Sequence, residues 1–74
     1  MVVDDEEYLI ETITKMLRHM GYVVKSQINS NKALDLFQSN PSAFDLIITD
    51  MTMPNMQGDE LAEHIANIRP DIPI

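Results

Sequence analysis

The residues best placed to do chemistry are carboxylates at two points where an apolar run stops. Met1-Val2-Val3 ends at Asp4-Asp5, and Phe44-Asp45-Leu46-Ile47-Ile48-Thr49 ends at Asp50. Both runs read as β-strands. In a parallel sheet all strand C-termini share one edge, and ligands of open α/β sheets bind in the crevice beyond that edge, at the switch between neighbouring strands. If the first and third strands are adjacent, Asp4, Asp5 and Asp50 converge there. Three clustered carboxylates repel one another unless a cation sits among them. A hard divalent ion is the natural occupant, and Mg²⁺ suits one or two carboxylates, a backbone carbonyl and waters. The bland alternative is local: Asp4 and Asp5 as the N-cap and negative first turn of a helix, and Asp50 as a loop aspartate capping its own turn.

The elements that must position these residues alternate along the chain. After the acidic stretch Asp4-Asp5-Glu6-Glu7, the residues Leu9, Ile13, Met16, Leu17 and Met20 recur at helical spacing. Lys15, Arg18 and His19 lie late in that helix, and Gly21 is a good stop. Tyr22-Val23-Val24 opens a second strand that runs to about Ile28. Asn29-Ser30-Asn31 is a turn, with Asn29 or Ser30 as N-cap. Ala33, Leu34, Leu36 and Phe37 form a short second helix, ended by Asn40-Pro41-Ser42. The third strand, Phe44 to Asp50, has a Leu-Ile-Ile centre that suits burial between two helix layers. A loop from Met51 to Gly58 leads to a third amphipathic helix, from Asp59 to Ile68. Arg69-Pro70-Asp71 breaks it, and Ile72-Pro73-Ile74 reads as the start of a fourth strand. The order β-α-β-α-β-α with short connections predicts a parallel α/β sheet with right-handed crossovers.

Composition narrows the function. The 74 residues allow one small domain. There is no cysteine, which excludes disulfides, thiolate zinc sites, iron–sulfur clusters and cysteine nucleophiles. Twelve acidic against five basic residues give a net charge of −7. That argues against direct nucleic-acid binding, which needs Lys and Arg for phosphates, and favours a cation or a basic protein surface. No run approaches the length needed to span a bilayer, and the N-terminal residues do not form a signal peptide, so a cytoplasmic setting is expected. The six methionines read as core and loop filler, with Met16 and Met20 in the core of the first helix and Met51, Met53 and Met56 exposed near the site. His19 and His64 are expected outside it.

The blocks Val2-Val3-Asp4-Asp5-Glu6 and Leu46-Ile47-Ile48-Thr49-Asp50-Met51-Thr52-Met53-Pro54-Asn55-Met56-Gln57-Gly58-Asp59-Glu60-Leu61, at this separation, resemble the receiver domain of two-component response regulators. The resemblance runs over all 74 residues. It implies a flavodoxin-like three-layer sandwich, here with strand order 2-1-3, and makes residues 1–74 the N-terminal part of a single, incomplete receiver domain. It further implies that Asp50 is the phosphoryl acceptor, that Asp4 and Asp5 belong to the Mg²⁺ site, and that Thr52 lends its backbone carbonyl to the metal. The donor would be a phosphohistidine on a sensor histidine kinase or phosphotransfer protein. Such a domain modifies itself and is not a turnover enzyme.

The family also uses a Ser or Thr ending a fourth strand, a Lys ending a fifth, and an aromatic residue on that fifth strand; this sequence supplies none of them. An apolar third strand left at the sheet edge predicts self-association. Two other functions compete with the phosphoacceptor: a receiver-like interaction module that is not phosphorylated, and an acidic α/β metal-binding fragment without a signalling role.

Overall fold

The computed structural model describes all residues, 1–74. Strand β1 (Val2–Val3) leads through an acidic turn to helix α1 (Glu7–His19). Strand β2 (Ser26–Gln27) leads to helix α2 (Ser30–Ser39), and a single 3-10 turn (Pro41–Ala43) follows. Strand β3 (Ile48–Thr49) leads to helix α3 (Gly58–Ile68). The three strands form one parallel sheet in the order β2-β1-β3, with Val2 opposite Ser26 and Ile48, and Val3 opposite Gln27 and Thr49.

Alternation along β1 divides the core. Val3 faces a large cluster with Ala33, Phe37, Ile47, Met53, Leu61 and Ile65, contributed mainly by α2 and α3. Val2 faces the other way, into a small cluster with Ile10 and Val24, against which Ile13 and Leu17 pack. The sheet thus lies between α1 on one face and the α2–α3 pair on the other. Phe37 and Phe44 stack with ring centroids 5.8 Å apart and brace the large cluster.

Helix boundaries follow local chemistry. Asn29 is the N-cap of α2, and its Oδ1 accepts from the Asn31 and Lys32 amides. At the end of α1, Gly21 adopts φ +98°, with its amide bonded to the Arg18 carbonyl and the Tyr22 amide to that of Leu17. That is a Schellman closure, which requires the left-handed residue glycine supplies. The Arg69 guanidinium ties the end of α3 to the Pro41 and Phe44 carbonyls and to the Asp71 carboxylate.

Several expectations need correction. The second strand does not begin at Tyr22: only Ser26 and Gln27 pair with β1, and Tyr22 and Val23 are exposed beside the Schellman turn. The third strand pairs only at Ile48 and Thr49, not from Phe44. It is also covered on one face only. Ile47 is fully buried beneath α2 and α3, while Leu46 and Ile48 are 44% and 37% exposed because α1 does not reach over β3. Met16 and Met20 lie on the outer side of α1, where Ile10 and Thr14 take the buried positions. Met53 is buried rather than exposed. Gly58 begins α3 rather than ending the loop before it. Ile72 to Ile74 form no strand ladder, but the Ile47 amide donates to the Pro73 carbonyl (3.0 Å), so the chain does turn back along the outer edge of β3.

Candidate functional site

The sheet ladder itself brings the acidic residues together. Because Val3 sits opposite Thr49, the next residues, Asp4 and Asp50, leave the sheet side by side. Their backbones are pinned there: the Asp50 amide donates to the Val3 carbonyl (2.9 Å) and the Asp4 amide to the Gln27 carbonyl (3.2 Å). One carboxylate oxygen from each of Asp4, Asp5 and Asp50 lies within 4.8 Å of the others. Asp4 is buried, Asp50 half-buried and Asp5 exposed, so the cluster opens to solvent on one side.

Neither Asp4 nor Asp5 caps α1 or lies in its first turn: the helix starts at Glu7, with Glu6 at the cap position and no side-chain cap bond. Asp4 Oδ1 instead accepts from the Glu6 amide (2.9 Å) and closes the turn that leads into α1. Both ion pairs in the molecule lie elsewhere, Lys15 with Glu11 and Arg69 with Asp71. No lysine or arginine forms an ion pair with any of the three carboxylates. A closely spaced set of oxygen donors, open on one side and without a basic partner, suits a hard divalent cation such as Mg²⁺.

The loop from Met51 to Gln57 borders this cluster. Thr52, at its start, is exposed, and its amide approaches Asp50 Oδ1 at 3.5 Å. The loop is held close to the end of β3 by Gly58, whose amide donates to the Met51 carbonyl (3.0 Å). A Cβ at Gly58 would lie 1.9 Å from the Asp50 carbonyl oxygen and 2.9 Å from Met51 Cα. Only a residue without a side chain lets α3 start this close to Asp50.

Three contributors escaped the sequence reading. Gly58 was noted as part of the loop, but its contact with Asp50 depends on a tertiary approach. Met53 anchors the loop by entering the core. Ser30, 1% exposed, donates its hydroxyl to the Met56 carbonyl across the fold (2.6 Å). A small polar residue next to a cap gave no sign of that partner. His19 and His64 are not among the residues of the cluster.

The family model for the response regulator receiver domain matches residues 1–74. The chain belongs to the receiver domain family. It is a signalling module rather than a classical enzyme, and an acidic cluster of this kind is typical of a receiver's metal site. Among curated relatives, it is 35% identical over 74 residues to the two-component response regulator ARR12 of Arabidopsis thaliana and 36% identical to ORR26 of Oryza sativa subsp. japonica. Each match covers 100% of this chain and 12% of the relative, so this receiver segment spans only a small part of those proteins. A crystal structure of a response regulator receiver domain protein from Clostridium thermocellum superposes with a TM-score of 0.93 at 32% identity, covering 96% of this chain and 56% of that one. No helix of this receiver is long and apolar enough to cross a membrane.

Proposed function

We propose that this receiver accepts a phosphoryl group on Asp50 from the phosphohistidine of a sensor histidine kinase or phosphotransfer protein. The observation that carries the reading is the convergence of Asp4, Asp5 and Asp50 at the C-terminal edge of the sheet, without a basic partner. In the reaction an Asp50 carboxylate oxygen forms a bond to phosphorus as the phosphorus–nitrogen bond to the donor imidazole breaks, giving an acyl phosphate and a free histidine. Asp5, Asp50 and the Thr52 carbonyl would hold Mg²⁺ directly, and Asp4 through water. The ion's contribution, when bound, is neutralisation of charge on the phosphoryl oxygens. Asp50 supplies the nucleophile, and Asp4 keeps the turn into α1 closed beside it.

We also infer that residues 1–74 are the N-terminal part of a longer receiver domain. Coverage of little more than half of the solved receiver supports this, as do Leu46 and Ile48, apolar residues at the sheet edge with no helix over them. Arg18 and Arg69 bond backbone carbonyls, Lys15 pairs with Glu11, and neither Lys25 nor Lys32 forms an ion pair with Asp4, Asp5 or Asp50. Acceptance by these residues alone is therefore expected to be slow, since one such electrostatic contact is worth roughly 10²–10³ in rate.

The test is incubation with Mg²⁺ and a phosphorylated histidine kinase, followed by intact mass. A gain of one phosphoryl group that hydroxylamine removes, and that Asp50→Ala abolishes, is expected. A gain that survives Asp50→Ala refutes the assignment. No gain, together with kinase binding unaffected by Asp50→Ala, would favour the unphosphorylated interaction module.

A further inference from the structure

The loop between β3 and α3 holds few bonds of its own. Within residues 52–57 the Met56 amide bonds to the Pro54 carbonyl (2.9 Å), closing a tight reversal around Asn55. Asn55 has φ +71°, a left-handed conformation that asparagine adopts more readily than most L-residues. The loop's place against the rest of the fold is set by contacts outside it. Met53 supplies an apolar anchor in the core. Only one hydrogen bond ties residues 52–57 to any part of the chain outside β3, the loop and α3: Ser30 Oγ to the Met56 carbonyl, 2.6 Å.

Ser30 is well suited to this task. It is the first residue of α2, yet Asn29 satisfies the free amides there, so the serine hydroxyl is not used for capping. It follows closely on β2, whose Gln27 carbonyl also holds the Asp4 amide. The hydroxyl therefore lies three residues beyond a strand of the sheet that carries the acidic cluster; Ser30 is buried and its bond partly so.

We propose that Ser30 is a positioning residue for this site: its hydroxyl fixes the loop conformation that presents the Thr52 carbonyl beside Asp50. This rests on the proposed metal site, but it makes a prediction that needs no metal. Without the hydroxyl, the Met56 carbonyl loses its partner, and residues 52–57 keep the Met53 anchor, the packing of the Met56 side chain against the same core, the approach of the Thr52 amide to Asp50 and the connection at Gly58. The loop then opens more often, and the carbonyl is offered to a cation for a smaller fraction of the time.

The test uses the wild-type chain, Ser30→Ala, Ser30→Thr, and Ser39→Ala as a control. Ser39 lies at the far end of the same helix, where its hydroxyl bonds only the local Leu36 carbonyl. Two readouts are taken by NMR: amide hydrogen exchange of the loop and Gly58 without metal, and chemical-shift titration with Mg²⁺ alone. In Ser30→Ala, loop exchange should rise and Mg²⁺ affinity fall by about two- to tenfold, the range one hydrogen bond supports. Amides of the Leu61–Ile65 turn should be unchanged. Ser39→Ala should match wild type in both readouts, and Ser30→Thr, which keeps the donor, should restore both. Unchanged loop exchange in Ser30→Ala overturns the proposal. So does a uniform rise across all amides, which would indicate a general packing role, and so does a Thr variant as loose as the Ala variant. If Ser30→Ala loosens the loop but Mg²⁺ shifts nothing even in the wild type, the anchor stands and the metal reading fails.

Discussion

Replacing Gly58 by alanine separates steric from conformational demands in this fold. The Cβ would stand 1.9 Å from the Asp50 carbonyl oxygen, and the neighbours it meets are backbone atoms that cannot rotate away. To reach ordinary contact, the start of α3 and the end of β3 must part by about 1.5 Å. Overpacking of this kind costs about 1–3 kcal/mol. Loss of the bond from the Gly58 amide to the Met51 carbonyl adds about 1 kcal/mol. The higher helix propensity of alanine returns at most about 1 kcal/mol. The net loss is about 1–3 kcal/mol, which lowers the melting temperature by about 4–8 °C per kcal/mol in a domain of this size. The comparator is Gly21→Ala. Nothing lies within 4 Å of a Cβ there, so its cost is only the left-handed backbone at φ +98°, about 1–2 kcal/mol. Urea and thermal unfolding by far-ultraviolet circular dichroism measure both, with a Mg²⁺ titration alongside. Gly58→Ala should weaken Mg²⁺ binding because Asp50 itself is displaced, whereas Gly21→Ala should leave binding intact. A Gly58→Ala variant that melts at or above the wild type with unchanged Mg²⁺ affinity would refute the steric argument.

Other outcomes follow from single features. The Thr14 hydroxyl is buried without a hydrogen-bond partner, so Thr14→Val should stabilise the chain by about 1 kcal/mol, and a clear loss in a urea melt would contradict that. Hydrogen bonds from the Arg69 guanidinium hold the Asp71 carboxyl below its ordinary 3.8. Its charged form is favoured by folding, so its contribution is present above that value and lost as pH falls through the lowered one. Asp71→Asn should lack this acid step in a pH series of melts, and because Asp71 is fully exposed the step is small. The open face around Leu46 and Ile48 should drive self-association at high concentration, which Leu46→Lys reduces; a monodisperse wild-type monomer by light scattering would count against it.

The alternation of elements and the acidic cluster were legible in the sequence because each rests on a local signal. Helical spacing from Leu9 to Met20, the cap at Asn29 and the stop at Gly21 depend on near neighbours, and the structure keeps the cap and the stop where they were expected. The phase of α1 was less secure. The apolar residues from Leu9 to Met20 share an arc of about 120°, and the buried face is turned toward its Ile10 side, next to Thr14, which leaves Met16 and Met20 outside it. Strand lengths failed for a related reason: β-branched residues such as Val23 favour extended backbone wherever they stand, but a strand exists only where a partner lies alongside. Tyr22 and Val23 have none.

Asp4, Asp5 and Asp50 were identifiable as candidates because carboxylates directly after apolar strands are a one-dimensional pattern. Residue types and spacing left their meeting conditional on β1 and β3 being neighbours, a property of the crossover path through α2 that the family resemblance implied and the observed sheet order bears out. What only the tertiary structure decided is how the site is held. The Gly58 contact with the Asp50 carbonyl, the burial of Met53 and the reach of Ser30 to Met56 all join residues that spacing leaves unrelated. The sequence by itself determined which side chains can bind a cation or a phosphoryl group, because that is fixed by residue type. Where the loop carrying Thr52 sits relative to Asp50 depends on close packing between separate elements, and packing exists only once the chain has folded.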